Sequence, residues 1–248
     1  MSARRACAHR LEPAAWAAPL LPTLVILLAL LAASPARAQF AGRVSLMSDD
    51  RFRGRSLSQG RPALSLDLSY DAAGGYAGVT ATGVDTAHSG VEWLGGQVYA
   101  GYVRTLAPGR ALDLGLTHSS YSEYYGRGGG AAYTEAYFGL IAEHVSSHLY
   151  YSPDYFGHGA ATLYGEVDGV ISPAPRWRAT AHLGLLERVG GRPGAIRGGE
   201  YDWRLGLGTT VRGFEAQLAW TGLGPRSDYY GGREEGREAL VFVLARNF

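Results

Sequence analysis

A period-two alternation, oily on one side and charged on the other, restricts this chain more than any other feature. Between Arg43 and Arg55 the odd positions are Arg43, Ser45, Met47, Asp49, Arg51, Arg53 and Arg55, almost all polar. The even positions include Val44, Leu46 and Phe52. After the polar break SLSQG the pattern returns, with Leu64, Leu66, Leu68 and Tyr70 set against Ser65, Asp67, Ser69 and Asp71. Successive side chains of an extended chain point to opposite faces, so each set owns one face of a strand. A dry core does not accept charge at this density. A sheet with one apolar and one charged face, repeated to the end of the chain, fits a membrane barrel with lipid outside and water within.

The repeat predicts an all-β fold, a transmembrane antiparallel up-and-down barrel of about 12 strands. The first strand is expected from Arg43 to Gly54, the second from Pro62 to Asp71 and the last from Ala239 to Phe248. The links carry independent weight. Those near 55–61, 85–91, 121–131, 153–158, 188–200 and 222–238 are mostly longer and rich in polar and aromatic residues. Those near 72–75, 106–110, 142–144, 172–175 and 212–213 are short. Such alternation is expected when one rim carries outer loops and the other periplasmic turns. A soluble sandwich also has short, evenly spaced strands, but nothing in it requires that alternation.

Residues 1–38 read as a secretory signal peptide. Arg4, Arg5 and Arg10 form a basic start, residues 20–33 (LLPTLVILLALLAA) an apolar run, and Ala36-Arg37-Ala38 a cleavage site, leaving Gln39 first. The apolar run is too short and too broken by Pro22 to be a membrane helix. A chain starting at Gln39 has 19 arginines against 21 acidic residues, which gives no electrostatic case for nucleic acid. The one cysteine, Cys7, lies in the leader, so no thiol or disulfide chemistry is expected of residues 39–248. The last strand ends in Phe248, with Leu240, Phe242 and Leu244 on its face. This is the form of an outer-membrane assembly signal read by the barrel assembly machinery, although Arg246 stands where a further aromatic is usual.

Two segments resemble a known family. Ser48-Asp49-Asp50-Arg51-Phe52-Arg53-Gly54, then Ser56-Leu57-Ser58-Gln59-Gly60 and Pro62-Ala63-Leu64, resemble the N-terminal hallmark of the TorF family of porins. Tyr76-Ala77-Gly78-Val79 and Tyr150-Tyr151-Ser152-Pro153-Asp154-Tyr155-Phe156-Gly157 fit the same pattern. The sequence departs from it at Asp50, where an aromatic is expected, and in the Gly-rich stretch between 121 and 131. The resemblance implies a bacterial outer-membrane barrel with a porin-like role and names no solute.

The polar face supplies the candidate site residues: Asp49, Arg51, Arg53, Arg55, Asp67, Asp113, Glu135, Glu166, Asp168, Arg178, Asp202, Arg204, Arg212 and Glu215. They read either as a pore lining, whose fixed charges select small hydrophilic solutes or ions by sign, or as a salt-bridge lattice that fills a closed structural or surface-binding barrel. A barrel of this strand number is wider than the eight-stranded kind that side chains fill, which favours the pore. The Arg51-Arg53-Arg55 ladder would prefer anions, or else pair with acids across the lumen or bind lipopolysaccharide phosphates near the rim. A lipid hydrolase is a third reading, resting on His118, Ser120 and Glu123. His118 and Ser120 share the lipid-facing parity, but His-x-Ser is a weak signal and no catalytic residue is assigned. His144 and His148 share a strand face but lack a third ligand, so no metal and no cofactor is expected. The Gly-rich runs at 126–130, 189–199 and 231–232 read as loops, with Tyr124, Tyr125, Tyr229 and Tyr230 as rim aromatics.

Overall fold

The computed structural model describes residues 39–86, 90–122, 131–191, 199–224, 229–230, 233–234 and 238–248. The leader 1–38, its cleavage site, Glu123, Tyr124 and Tyr125 lie outside the described residues, as do the side chains of Tyr229 and Tyr230. The wall is a closed barrel of twelve antiparallel strands. In chain order these are β1 (Gln39–Met47), β2 (Ala63–Ala72), β3 (Gly75–Thr86), β4 (Gly90–Ala107), β5 (Arg110–Tyr121) and β6 (Ala131–Ala142). They continue as β7 (Val145–Ser152), β8 (Ala160–Ala174), β9 (Trp177–Gly191), β10 (Glu200–Val211), β11 (Phe214–Gly224) and β12 (Glu238–Asn247). Each strand pairs with its neighbours in sequence, and β12 returns to β1, with Arg43 opposite Asn247.

Chain chemistry closes that seam. Phe248 and Gly42 exchange two backbone hydrogen bonds at 2.9 Å, and the Phe248 ring lies where any side chain at residue 42 would stand. The outer surface is apolar all round: Leu46, Leu64, Leu116, Leu140, Val167, Leu183, Leu205, Leu218 and Leu240 are all exposed. A soluble monomer does not expose apolar area on this scale, whereas hydrocarbon stabilises it. Among the described residues no helix is long and apolar enough to cross a membrane.

The short links are tight turns at 73–74, 108–109, 143–144, 175–176 and 212–213, all at one end, here the turn end. The other six connections leave from the opposite end, here the loop end, in the predicted alternation. Three expectations change. The strand expected to run from Arg43 to Gly54 stops at Met47, and residues 48–61 fold inward. β9 runs on to Gly191, into a stretch expected to be loop. Arg212, with φ 51°, and His144 belong to turn-end turns and not to the polar face of a strand.

Candidate functional site

The inward fold is a small hairpin. Arg51 pairs with Ser56 and Phe52 with Arg55, around a turn at Arg53 (φ 49°) and Gly54 (φ 76°). Two positive φ values make this a primed hairpin turn, whose first central position normally takes Asn, Asp or Gly. Arginine there is an unfavourable local choice, so the reason for it lies in its surroundings. The stem is held by Asp49, which is buried and accepts hydrogen bonds from Ser56 Oγ (2.5 Å), Ser58 Oγ (2.9 Å) and Arg51 Nε (2.5 Å). Arg51 Nη1 also donates to the Gly54 carbonyl at 2.9 Å.

The tip reaches across the lumen to strands far from its own. Arg53 makes a two-pronged ion pair with Glu135 of β6, at 3.0 and 2.9 Å. Its guanidinium carbon lies 3.9 Å from the ring centre of Tyr164, 4.7 Å from that of Phe52, and 5.4 Å from those of Tyr150 and Tyr155. Arg55 pairs with Glu200 of β10. A Cβ on Gly54 would come within 2.9 Å of both the Asp202 Cβ and the Gly222 carbonyl, so the tip is seated against β10 and β11. Beside it a buried cluster of Leu57, Val84, Leu94, Tyr133, Tyr155, Phe156, Tyr164 and Leu186 packs at the loop end, inside the barrel. Tyr133 and Phe156 rings lie 4.6 Å apart, and Tyr155 meets Phe156 edge-on at 4.7 Å.

The arginines take the acid-paired alternative and do not form a free, anion-preferring ladder. Arg51, Arg53 and Arg55 do not line a strand face; each is paired with an acid, because a hairpin tip buried among rings cannot leave a guanidinium uncompensated. Half-buried Asp50 shares that packing, and burial, helped by the charge of neighbouring Asp49, pushes its carboxyl up to about 6.

Towards the turn end from the hairpin lies a cavity of about 570 Å³. Its wall includes Asp49, Arg51, Arg53, Asp113, Glu135, Glu166, Asp168, Asp202 and Arg204 among the expected residues. Asp67 is hydrogen-bonded by Thr80 (2.6 Å) and Tyr99 (3.3 Å) on the inner face between β2 and β4. Arg178 and Glu215 line a second cavity of about 460 Å³ at the turn end, where Glu215 also takes Arg43 at 2.9 Å. The two cavities share Asp168, Arg204, Gln217 and Val243 as wall, so the polar lumen continues below the hairpin.

The sequence reading missed a set of inward tyrosines. Tyr76 donates to Asp113 (2.7 Å) and is hydrogen-bonded to Tyr137; Tyr150 donates to Glu166 (3.0 Å) and Tyr164 to Asp202 (3.0 Å). Strand parity could have found most of them, since Tyr99, Tyr137, Tyr150 and Tyr164 share the polar face of their strands. Glycine opposite makes room: a Cβ on Gly78 would lie 2.3 Å from the Tyr99 ring, and one on Gly115 2.3 Å from the Tyr137 hydroxyl. An aromatic folded over a cross-strand glycine is a known way of stiffening a curved sheet.

Two histidines complete the lumen. His148 Nε2 is 3.2 Å from Asp113, with Glu166 3.9 Å from its other nitrogen. His182 has Asp168 at 2.9 Å on one nitrogen and Asp202 at 3.0 Å on the other. Glu166, Asp168 and His182 bring three ligand-type atoms within 4.8 Å of one another, a spacing that suits a metal ion. Both nitrogens of His182 are spent on carboxylates, and Arg204 stands 3.7 Å from Asp168, which fits an imidazolium clamp better than a metal ligand set. On the outer face His118 Nδ1 is 2.9 Å from Thr134 Oγ1, so its observed partner is a neighbouring strand's hydroxyl.

The family described as a bacterial protein of unknown function (Gcw_chp) matches residues 31–248. No curated protein matches the chain. Among solved structures it is similar to the NanC porin, at TM-score 0.54 and 13% identity over 84% of this chain and 98% of that one. It is also similar to a structure from work on the in-meso crystallization of membrane proteins, at TM-score 0.51 and 11% identity over 84% and 83%. An outer membrane channel from Pseudomonas putida F1 gives TM-score 0.48 and 13% identity over 87% and 97%. Likeness at these identities concerns the fold.

Proposed function

This chain belongs to the Gcw_chp family of bacterial proteins of unknown function, and we propose that it is an outer-membrane channel for passive passage of small hydrophilic solutes or ions. One observation carries the reading: a polar cavity of about 570 Å³ lies inside a closed barrel whose outside is apolar, and it adjoins a second polar cavity towards the turn end. Charged side chains around an open lumen are the means by which pores select solutes. The resemblance of residues 48–64 and 150–157 to TorF porins supports the same role, because the two segments meet as hairpin, cage and rim cluster.

In this reading the leader is removed near Ala38/Gln39, and the strand ending in Phe248 is read by the assembly machinery. The loop end then faces outward among lipopolysaccharide and lipid. The hairpin narrows the outer mouth, and traffic depends on how it fits or moves. A barrel closed by that hairpin, serving structure or surface binding, is the second reading, favoured by the dense pairing of its arginines. Catalysis on the outer face is third, with His118 engaged by Thr134.

Single-channel recording in planar bilayers tests the proposal. Discrete, stable current steps support it. A folded, heat-resistant barrel that never conducts overturns it in favour of the closed barrel.

A further inference from the structure

Resting on the channel reading for its electrical arm only, we propose that the chamber beneath the hairpin binds small organic cations carrying a guanidinium or primary ammonium group. The first ground is charge. The described wall of the chamber holds three arginines, and Arg51 and Arg53 are neutralised by Asp49 and Glu135. Arg204 then faces Asp113, Glu166, Asp168 and Asp202, with Asp50 besides. Acid stays in excess even with both His148 and His182 protonated. Fixed charge in a narrow lumen with low-dielectric walls concentrates ions of opposite sign.

The second ground is that the protein already displays this recognition on its own chain. Arg53 sits over aromatic faces with a carboxylate gripping both prongs of the guanidinium, the arrangement by which desolvated cations are held. One step towards the turn end the same ingredients recur. Tyr137, His148 and Tyr150 form a ring cluster with centroids 5.4 to 6.1 Å apart, and Asp113 and Glu166 stand on either side of His148. The hydroxyls of Tyr76 and Tyr150 donate to these two acids. A guanidinium or ammonium entering here meets two carboxylates and an aromatic wall. The cavity volume lies within the range of small-ligand sites, roughly 300–1,000 Å³.

The test titrates agmatine, which carries both cationic groups, into the folded protein in detergent micelles by calorimetry. Glucose and glucuronate serve as neutral and anionic probes of similar size. Saturable heat is expected from agmatine alone. The Asp113→Asn, Glu166→Gln pair, whose amide oxygens still accept from the tyrosines, is expected to weaken agmatine binding at least tenfold. Each single variant is expected to weaken it at least threefold, which preserves the comparison if the pair does not fold. Equal heats from all three probes, or folded variants that bind agmatine as the parent does, overturn the proposal. In bilayers, agmatine is expected to reduce the current more than glucuronate does. Binding without any conductance supports the cation site and removes the channel, whereas conductance without agmatine binding removes the site and keeps the channel.

Discussion

The two ends of the lumen use one chemical bond to opposite effect. At the loop end Arg53 and Glu135 are paired with side chains only 7% and 3% exposed, inside a shell of rings. At the turn end Arg43 and Glu215 are paired at 40% and 22% exposure, and Arg178 shares the same carboxylate. Water screens the second pair and hardly reaches the first. Pairing alone therefore says little; burial decides which arginine holds structure and which only colours the field.

The sharpest way to break that contrast is Glu135→Gln. It leaves Arg53 buried without its counter-charge and costs on the order of 3 kcal/mol. The expected result is a hairpin that leaves its seat, read as a several-fold rise in single-channel conductance and earlier heat unfolding on gels. Gly54→Ala comes next. A side chain at φ 76° that also meets Asp202 and Gly222 at 2.9 Å costs about 1–3 kcal/mol. Thermal unfolding in detergent checks it.

Asp50 adds a pH dependence to the loop end alone. Its folded carboxyl is raised from the ordinary 3.8 to about 6, chiefly by burial. A raised folded pKa means that the contribution is fully present below the unfolded value and is lost as pH rises through about 6. Protease nicking of residues 48–61 should thus be several-fold slower at pH 5 than at pH 7.5, and Asp50→Asn should flatten this difference. The smallest effect belongs to the turn end. Arg43→Gln is expected to shift stability by less than about 1 kcal/mol. Its change in ion selectivity should fade as salt rises, and persistence at high salt would contradict the screened picture.

The wall was legible because lipid and water impose a strict period of two on every strand. Leu64 and Leu66 against Ser65 and Asp67 needed no partner to be read. The hairpin was not legible, because Asp49, Arg51 and Arg53 kept the same parity after the strand had ended. Only the turn at Arg53-Gly54 and the serines that satisfy Asp49 betray the break, and both belong to the folded hairpin, which a period of two does not encode. The candidate charges were mostly placed on the correct face, yet their pairing was hidden for the same reason. Glu135 meets Arg53 from 82 positions away, and no local pattern announces that. The inward tyrosines are the intermediate case: their parity was visible, but their hydrogen bonds to acids on other strands were not.

The central claim is that the hairpin is a constriction seated inside a water-filled lumen. Single-channel conductance tests it most directly, comparing the parent with a chain in which residues 50–59 are replaced by a short Gly/Ser linker. Both should give the same heat-modifiable folded band. Current steps several-fold larger are expected without the hairpin. Equal steps from two folded proteins would contradict it.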